Sequence, residues 1–119
     1  EIASNIASTF GGDVIVNYRC IAPPVYNDSV LTELIEQSGI DLLGRENVVK
    51  LQQPSLGAED FAEFLTDVPG TMFRLGVAGQ EGCAPLHNGK FCPDEGSLEI
   101  GIEIITATLL KWIKQRTVK

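Results

Sequence analysis

Residues 94–116 read DEGSLEIGIEIITATLLKWIKQR, and what covers this stretch decides the fold. Leu98, Ile102, Ile105, Leu109 and Trp112 recur at alternating steps of four and three, the spacing that lines side chains along one side of an α-helix. Ile100, Ile104 and Ile113 widen the stripe. Asp94 and Glu95 stand at its start, and Lys111, Lys114 and Arg116 at its end, the arrangement that the helix dipole favours. Fully burying one Leu or Ile is worth about 1.5–3 kcal/mol, so a stripe this broad has to be covered. The expected cover is a sheet, and the expected fold class is α/β.

Working back towards the N-terminus, candidate strands supply such a sheet. Thr71–Val77 is a β-rich run between a Pro69-Gly70 turn and a long Gly-containing loop, Ala78–Pro93. A short apolar strand is expected at Val48–Leu51, and a short helix over about Ala58–Asp67. Leu31, Leu34, Ile35, Leu42 and Leu43 mark a further helix, capped by Asn27 or Asp28 and ended by Gly44. Pro23 and Pro24 interrupt both kinds of element, so a domain boundary is placed in that segment. Before it, Ile2, Ile6 and Phe10 have helical spacing, Gly11-Gly12 stop the turn, and Asp13–Cys20 alternates as a half-buried strand.

With 119 residues, 44% hydrophobic and 21% charged, the chain has the composition of a globular domain or a piece of one. It starts at Glu1 with residues that read as mid-helix, so the inside of a longer polypeptide is expected. Nine basic against sixteen acidic residues give a net charge of −7. That charge disfavours nucleic acid and anionic membrane surfaces as partners. Three cysteines without a C-x-x-C pair point to a reduced, cytoplasmic setting rather than a disulfide framework.

His87 is the lone histidine, so all imidazole chemistry passes through it. Between Pro85-Leu86 and Asn88-Gly89 it reads either as a surface loop residue or as a metal ligand presented from a loop at a strand end. A zinc site of Cys83, His87 and Cys92 fits no standard finger spacing. Gly57-Ala58-Glu59-Asp60-Phe61 sits at a loop-to-helix junction. Its acids suit the helix dipole, and its backbone N–H groups offer an anion pocket for a substrate carboxylate. The G-x-S-x-G elbow and the phosphate-binding loop are absent, and H-E-x-x-H is impossible with one histidine.

Taken together, several segments are more specific: Gly57-Ala58-Glu59-Asp60-Phe61, Val68-Pro69-Gly70, Phe73-Arg74-Leu75-Gly76, Leu86-His87, and Phe91-x-x-Asp94-Glu95-x-x-Leu98-x-x-Gly101. They resemble the C-terminal part of the amidohydrolase branch of the metal-dependent aminoacylase and carboxypeptidase superfamily. This branch holds N-acyl-amino-acid amidohydrolases, hippurate hydrolases and auxin-conjugate hydrolases. Ala22-Pro23-Pro24-x-x-Asn27-Asp28 resembles the segment that leaves the inserted lid of that family.

The resemblance implies that residues 1–20 end an α+β lid that often dimerises. Residues 21–119 would then be the C-terminal half of a zinc-exopeptidase-like α/β catalytic domain. The implied reaction is hydrolysis of the amide of an N-acyl amino acid by metal-activated water, with two divalent ions per site. Zinc or manganese are expected, and nickel or cobalt are also compatible with imidazole. The resemblance makes His87 a metal ligand and leaves Gly57, Ala58 and Glu59 as substrate-binding candidates. No catalytic base falls in this chain, so the remaining ligands and the base would come from the N-terminal part of the same protein, and the chain alone would be inactive. The family commonly has Ser-Pro or His-Pro after this histidine. Here Asn88-Gly89 follows, which bears on the rigidity of the loop. The rival reading is a non-enzymatic acidic α/β binding or regulatory module.

Overall fold

The structure is a computed structural model that describes residues 1–117, so Val118 and Lys119, the end of the expected 21–119 segment, lie outside the described residues. Helix α1 spans Ile2–Thr9, α2 spans Ser29–Leu43, α3 spans Phe61–Phe64 and α4 spans Gly96–Thr117, with a 3₁₀ turn at Arg45–Asn47. Among the described residues there is no strand.

The expected α/β fold class is therefore corrected. The described chain is helical and elongated, with no sheet from either a catalytic domain or a lid. Its radius of gyration is 20.4 Å and its extents are 66 × 45 × 22 Å, against about 13.5 Å for a compact chain of this length. The physical reason lies in the strand ladder. A strand is held by hydrogen bonds to a neighbour, and among the described residues no backbone hydrogen bond joins the three candidate runs to one another. Residues 13–20 are all exposed, and 71–77 is held mainly by side chains.

Helix α2 begins where its sequence says. Asp28 Oδ1 accepts from the Leu31 N–H at 2.9 Å, the side-chain cap that satisfies one free helix donor. Gly44, at φ 87°, ends the helix in a conformation that an L side chain resists. After the 3₁₀ turn the chain folds back so closely that a Cβ at Gly39 would stand 3.2 Å from Val48 Cγ2, which explains a glycine inside this helix. Glu36 accepts ion pairs from Arg45 and Lys50. Hydrogen bonds from Arg45 and then Lys50 hold its carboxyl below the usual range.

The core sits between α2, α4 and the segment around residues 70–75. Leu34 and Ile104 are 8% and 5% exposed, and Ser38, Gly39 and Ser97 are buried with them. Asn27 binds Met72 twice, donating from Nδ2 to the Met72 carbonyl and accepting the Met72 N–H, each at 2.9 Å. This side-chain amide meets both backbone groups as a neighbouring strand would. The Asp28 N–H donates to the Gly70 carbonyl at 2.8 Å, and the hydroxyls of Thr32 and Thr71 meet at 2.9 Å. Lys111 of α4 donates to Asp41 of α2 at 2.6 Å, and this bond lowers the Asp41 pKa.

Helix α4 turns an unexpected side inward. Ser97, Gly101, Ile104 and Thr108 face the packed side, and a Cβ at Gly101 would come 3.1 Å from Leu75 Cδ2. The large apolar stripe lies outside: Leu98 is 67% exposed and Ile102 66%, with Ile105, Leu109 and Ile113 also exposed. A shallow apolar cavity of about 300 Å³ opens beside it, lined by Leu31, Ile35, Phe73, Ile105 and Leu109 among others.

The expected helix over Ala58–Asp67 is shorter, confined to α3. Beyond it, N–H groups of Leu65, Thr66 and Asp67 reach carbonyls only three residues back at 3.2–3.3 Å, so the chain tightens before Pro69. No helix among the described residues is long and apolar enough to cross a membrane.

Candidate functional site

Two loops carry the candidate residues. The first leads into α3. The Gly57 N–H donates to Ser55 Oγ at 3.2 Å, and the Phe61 N–H donates to Glu59 Oε1 at 3.2 Å. The Ala62 N–H reaches the Glu59 carbonyl at 3.1 Å. Gly57, Ala58 and Glu59 are all exposed, and Glu59 spends one carboxylate oxygen closing its own turn.

The second loop, residues 78–93, is fastened at its base by Asp94. The Asp94 N–H donates to the Val77 carbonyl at 2.9 Å, and Asp94 Oδ1 accepts the Gly96 N–H at 2.8 Å. Ser97 donates to the Asp94 carbonyl from both its N–H, at 3.0 Å, and its hydroxyl, at 2.6 Å. A Cβ at Gly79 would stand 3.0 Å from Asp94 Oδ2, so the two ends of the loop meet closely at a glycine. The sequence marked Asp94 as a dipole acid and as part of the Phe91-x-x-Asp94-Glu95 motif, and not as the fastening of the loop. The short Asp-x-Gly-Ser spacing was the available sign of this knot.

His87 lies exposed within that loop and has φ 65°, the one non-glycine residue with positive φ recorded among the described residues. It occupies the third position of a turn closed by the Asn88 N–H on the Pro85 carbonyl at 3.2 Å. A left-handed backbone costs an L residue roughly 1–2 kcal/mol. Such strain persists where the surroundings impose it, and it concentrates at functional positions.

The two loops are not joined by any hydrogen bond or ion pair found among the described residues. Cys20, Cys83 and Cys92 are free thiols, and Cys83 Sγ donates to the Ala84 carbonyl at 3.3 Å. Among the described residues no group of three His, Cys, Asp or Glu side chains is placed to hold a metal ion, so Cys83, His87 and Cys92 do not form one. By themselves these residues offer a divalent ion one imidazole and no completed donor set.

Comparison with known proteins supplies what the geometry leaves open. Residues 6–111 match Peptidase family M20/M25/M40. A probable hydrolase of Synechocystis sp. is 37% identical over 113 residues, covering 93% of this chain and 28% of the relative. Thermostable carboxypeptidase 1 of Saccharolobus solfataricus is 35% identical over 104 residues, covering 85% of this chain and 25% of the relative. An N-acetyldiaminopimelate deacetylase of Bacillus cytotoxicus is 34% identical over 112 residues, covering 93% and 28% respectively. The chain thus spans about a quarter of the length of the curated relatives it matches. No solved structure gives a significant match. A match running from α1 to the last third of α4, with relatives that align along the same stretch, shows that this chain belongs to Peptidase family M20/M25/M40.

Proposed function

We propose that the whole protein is a metal-dependent amidohydrolase that cleaves the amide bond of N-acyl amino acids, and that this chain contributes His87 as one metal ligand. The observation that carries this reading is the left-handed backbone at His87, a strained histidine held inside the Pro85–Asn88 turn. A relative named for deacetylating N-acetyldiaminopimelate supports the substrate class, since that name describes an N-acyl amino acid.

The described residues do not complete a metal site, so the further ligands and the general base belong to other parts of the protein. A bound divalent ion would supply an activated water and polarise the scissile carbonyl. The contribution of this chain is positional. Asp94 ties the base of the loop, and the Pro85–Asn88 turn presents the imidazole. Gly57, Ala58 and Glu59 line the substrate side, where the backbone meets the amino acid carboxylate. Residues 1–20 belong to a lid through which two copies associate, and neither nucleic acid nor a membrane surface is a partner.

The test uses the full-length protein and N-acetyl- or N-benzoyl-amino acids. Chelation is expected to abolish turnover, and zinc or manganese to restore it. His87→Ala is expected to lower kcat/KM by about a hundredfold or more while protein yield and unfolding midpoint stay near wild type. The isolated 119-residue chain is expected to show no turnover with either metal. Wild-type turnover by His87→Ala, or hydrolysis by the isolated chain, would overturn the reading.

A further inference from the structure

Asn88-Gly89, in the loop that carries His87, is the one asparagine–glycine pair of the chain. An asparagine before glycine is chemically labile, because the next main-chain nitrogen can reach the side-chain amide carbon and close a five-membered ring. Glycine leaves that approach open, having no Cβ to crowd it. Both residues are exposed here, and a Cβ at Gly89 would meet nothing within 4 Å. Among the described residues, the attacking nitrogen of Gly89 donates no recorded hydrogen bond.

The amide carbon is prepared as well. Asn88 Oδ1 accepts the Lys90 N–H at 2.9 Å. That donor draws electrons from the carbon and sits where negative charge gathers as the ring closes, as a donor in an oxyanion hole does. The other asparagines are less well placed. Asn5, Asn17, Asn27 and Asn47 each precede a residue whose side chain obstructs the attack. Asn27 also has both amide atoms bound to Met72, and Asn47 Nδ2 donates to the Leu43 carbonyl at 2.7 Å.

We infer that Asn88 is a site of spontaneous deamidation in the folded protein. The Gly89 nitrogen bonds to Asn88 Cγ and gives up its proton, and Nδ2 leaves with that proton as ammonia, which closes a succinimide. Water then opens the ring. Attack on the side-chain carbonyl gives aspartate at position 88. Attack on the main-chain carbonyl gives isoaspartate, in which the main chain runs through the former side chain. Either product places a new carboxylate next to the one imidazole of the chain. In isoaspartate, the carbonyl that accepts the Phe91 N–H at 2.9 Å also leaves the main chain, so the Asn88–Phe91 turn loses that closure. The modification stands apart from the hydrolytic reading of His87.

The experiment incubates the full-length protein in mildly alkaline buffer, folded and in guanidinium chloride, and follows the tryptic peptide of residues 75–90 by chromatography and mass spectrometry. Folded wild type is expected to accumulate succinimide and then aspartate and isoaspartate at position 88, ahead of the other four asparagines. Gly89→Ala enters open space at a position without positive φ, so the loop accommodates it. It is expected to slow conversion about tenfold or more, because the added Cβ keeps the nitrogen from its attacking position. Conversion in guanidinium chloride with none in the folded protein would overturn the proposal. Equal rates in wild type and Gly89→Ala would do the same, and so would faster conversion of Asn27 or Asn47 than of Asn88.

Discussion

At the residue scale, His87 shows how chemistry and backbone meet in one position. Its side chain is the chain's single imidazole, and its backbone stands where glycine is usual. His87→Gly removes the steric penalty of the left-handed region and adds unfolded-state entropy of about 0.4–1 kcal/mol, so these two effects largely offset. The expected outcome is an unfolding midpoint at or slightly above wild type together with turnover as low as that of His87→Ala. A midpoint several degrees below wild type would show that φ 65° carries no strain there. That position 87 carries the chain's single imidazole, beside Asn-Gly in a Gly-rich loop, was legible in the sequence. Its strain was not legible, because it depends on the Pro85–Asn88 turn closing around it.

At the element scale, α2 and α4 pack together and are joined by the charged hydrogen bond from Lys111 to Asp41. Asp28→Ala removes the cap on Leu31 and is expected to destabilise the full-length protein by about 1 kcal/mol, read from urea unfolding. Gly101→Val places bulk against Leu75 and is expected to cost about 1–3 kcal/mol by overpacking. The Asp41–Lys111 contact makes a prediction in pH. The Lys111 hydrogen bond, helped by one from Gln37, lowers the Asp41 pKa in the folded state. Proton binding is then weaker when folded than when unfolded. The contribution is present above the ordinary aspartate range and lost as pH falls through the lowered value. The difference in unfolding midpoint between wild type and Asp41→Asn should shrink as pH drops below that range. A difference constant from neutral to strongly acid pH would contradict it. Helix ends were legible because Asp28 and Gly44 carry their own local chemistry. The inward face of α4 was not, because the small residues Ser97, Gly101 and Thr108 are chosen by what approaches them.

At the scale of the whole molecule, three buried apolar residues among the described ones, Leu34, Ala62 and Ile104, make a small core for so large an apolar content. The outward row from Leu98 to Ile113 on α4 is contiguous with the cavity beside Phe73. Apolar patches on monomers rarely exceed a few hundred Å² without a role in association. The isolated chain should therefore bind a hydrophobic dye such as ANS and unfold without a sharp transition. A sharply cooperative chain that binds no dye would argue that this surface is sealed in solution.

Local chemistry was written in the sequence by itself: where α2 starts and stops, that α4 is a long helix, and that position 87 is the imidazole. These follow from bonds and steric limits within a few residues of one another. The tertiary structure alone decided which side of α4 packs inward, that residues 71–77 are held by Asn27 rather than by a strand, and that His87 is strained. Between residues 73 and 80, half-burial still alternates with exposure in the two-residue rhythm of a strand. The pattern of a strand is thus present without the ladder, because side-chain alternation belongs to one segment whereas a ladder requires a second backbone alongside.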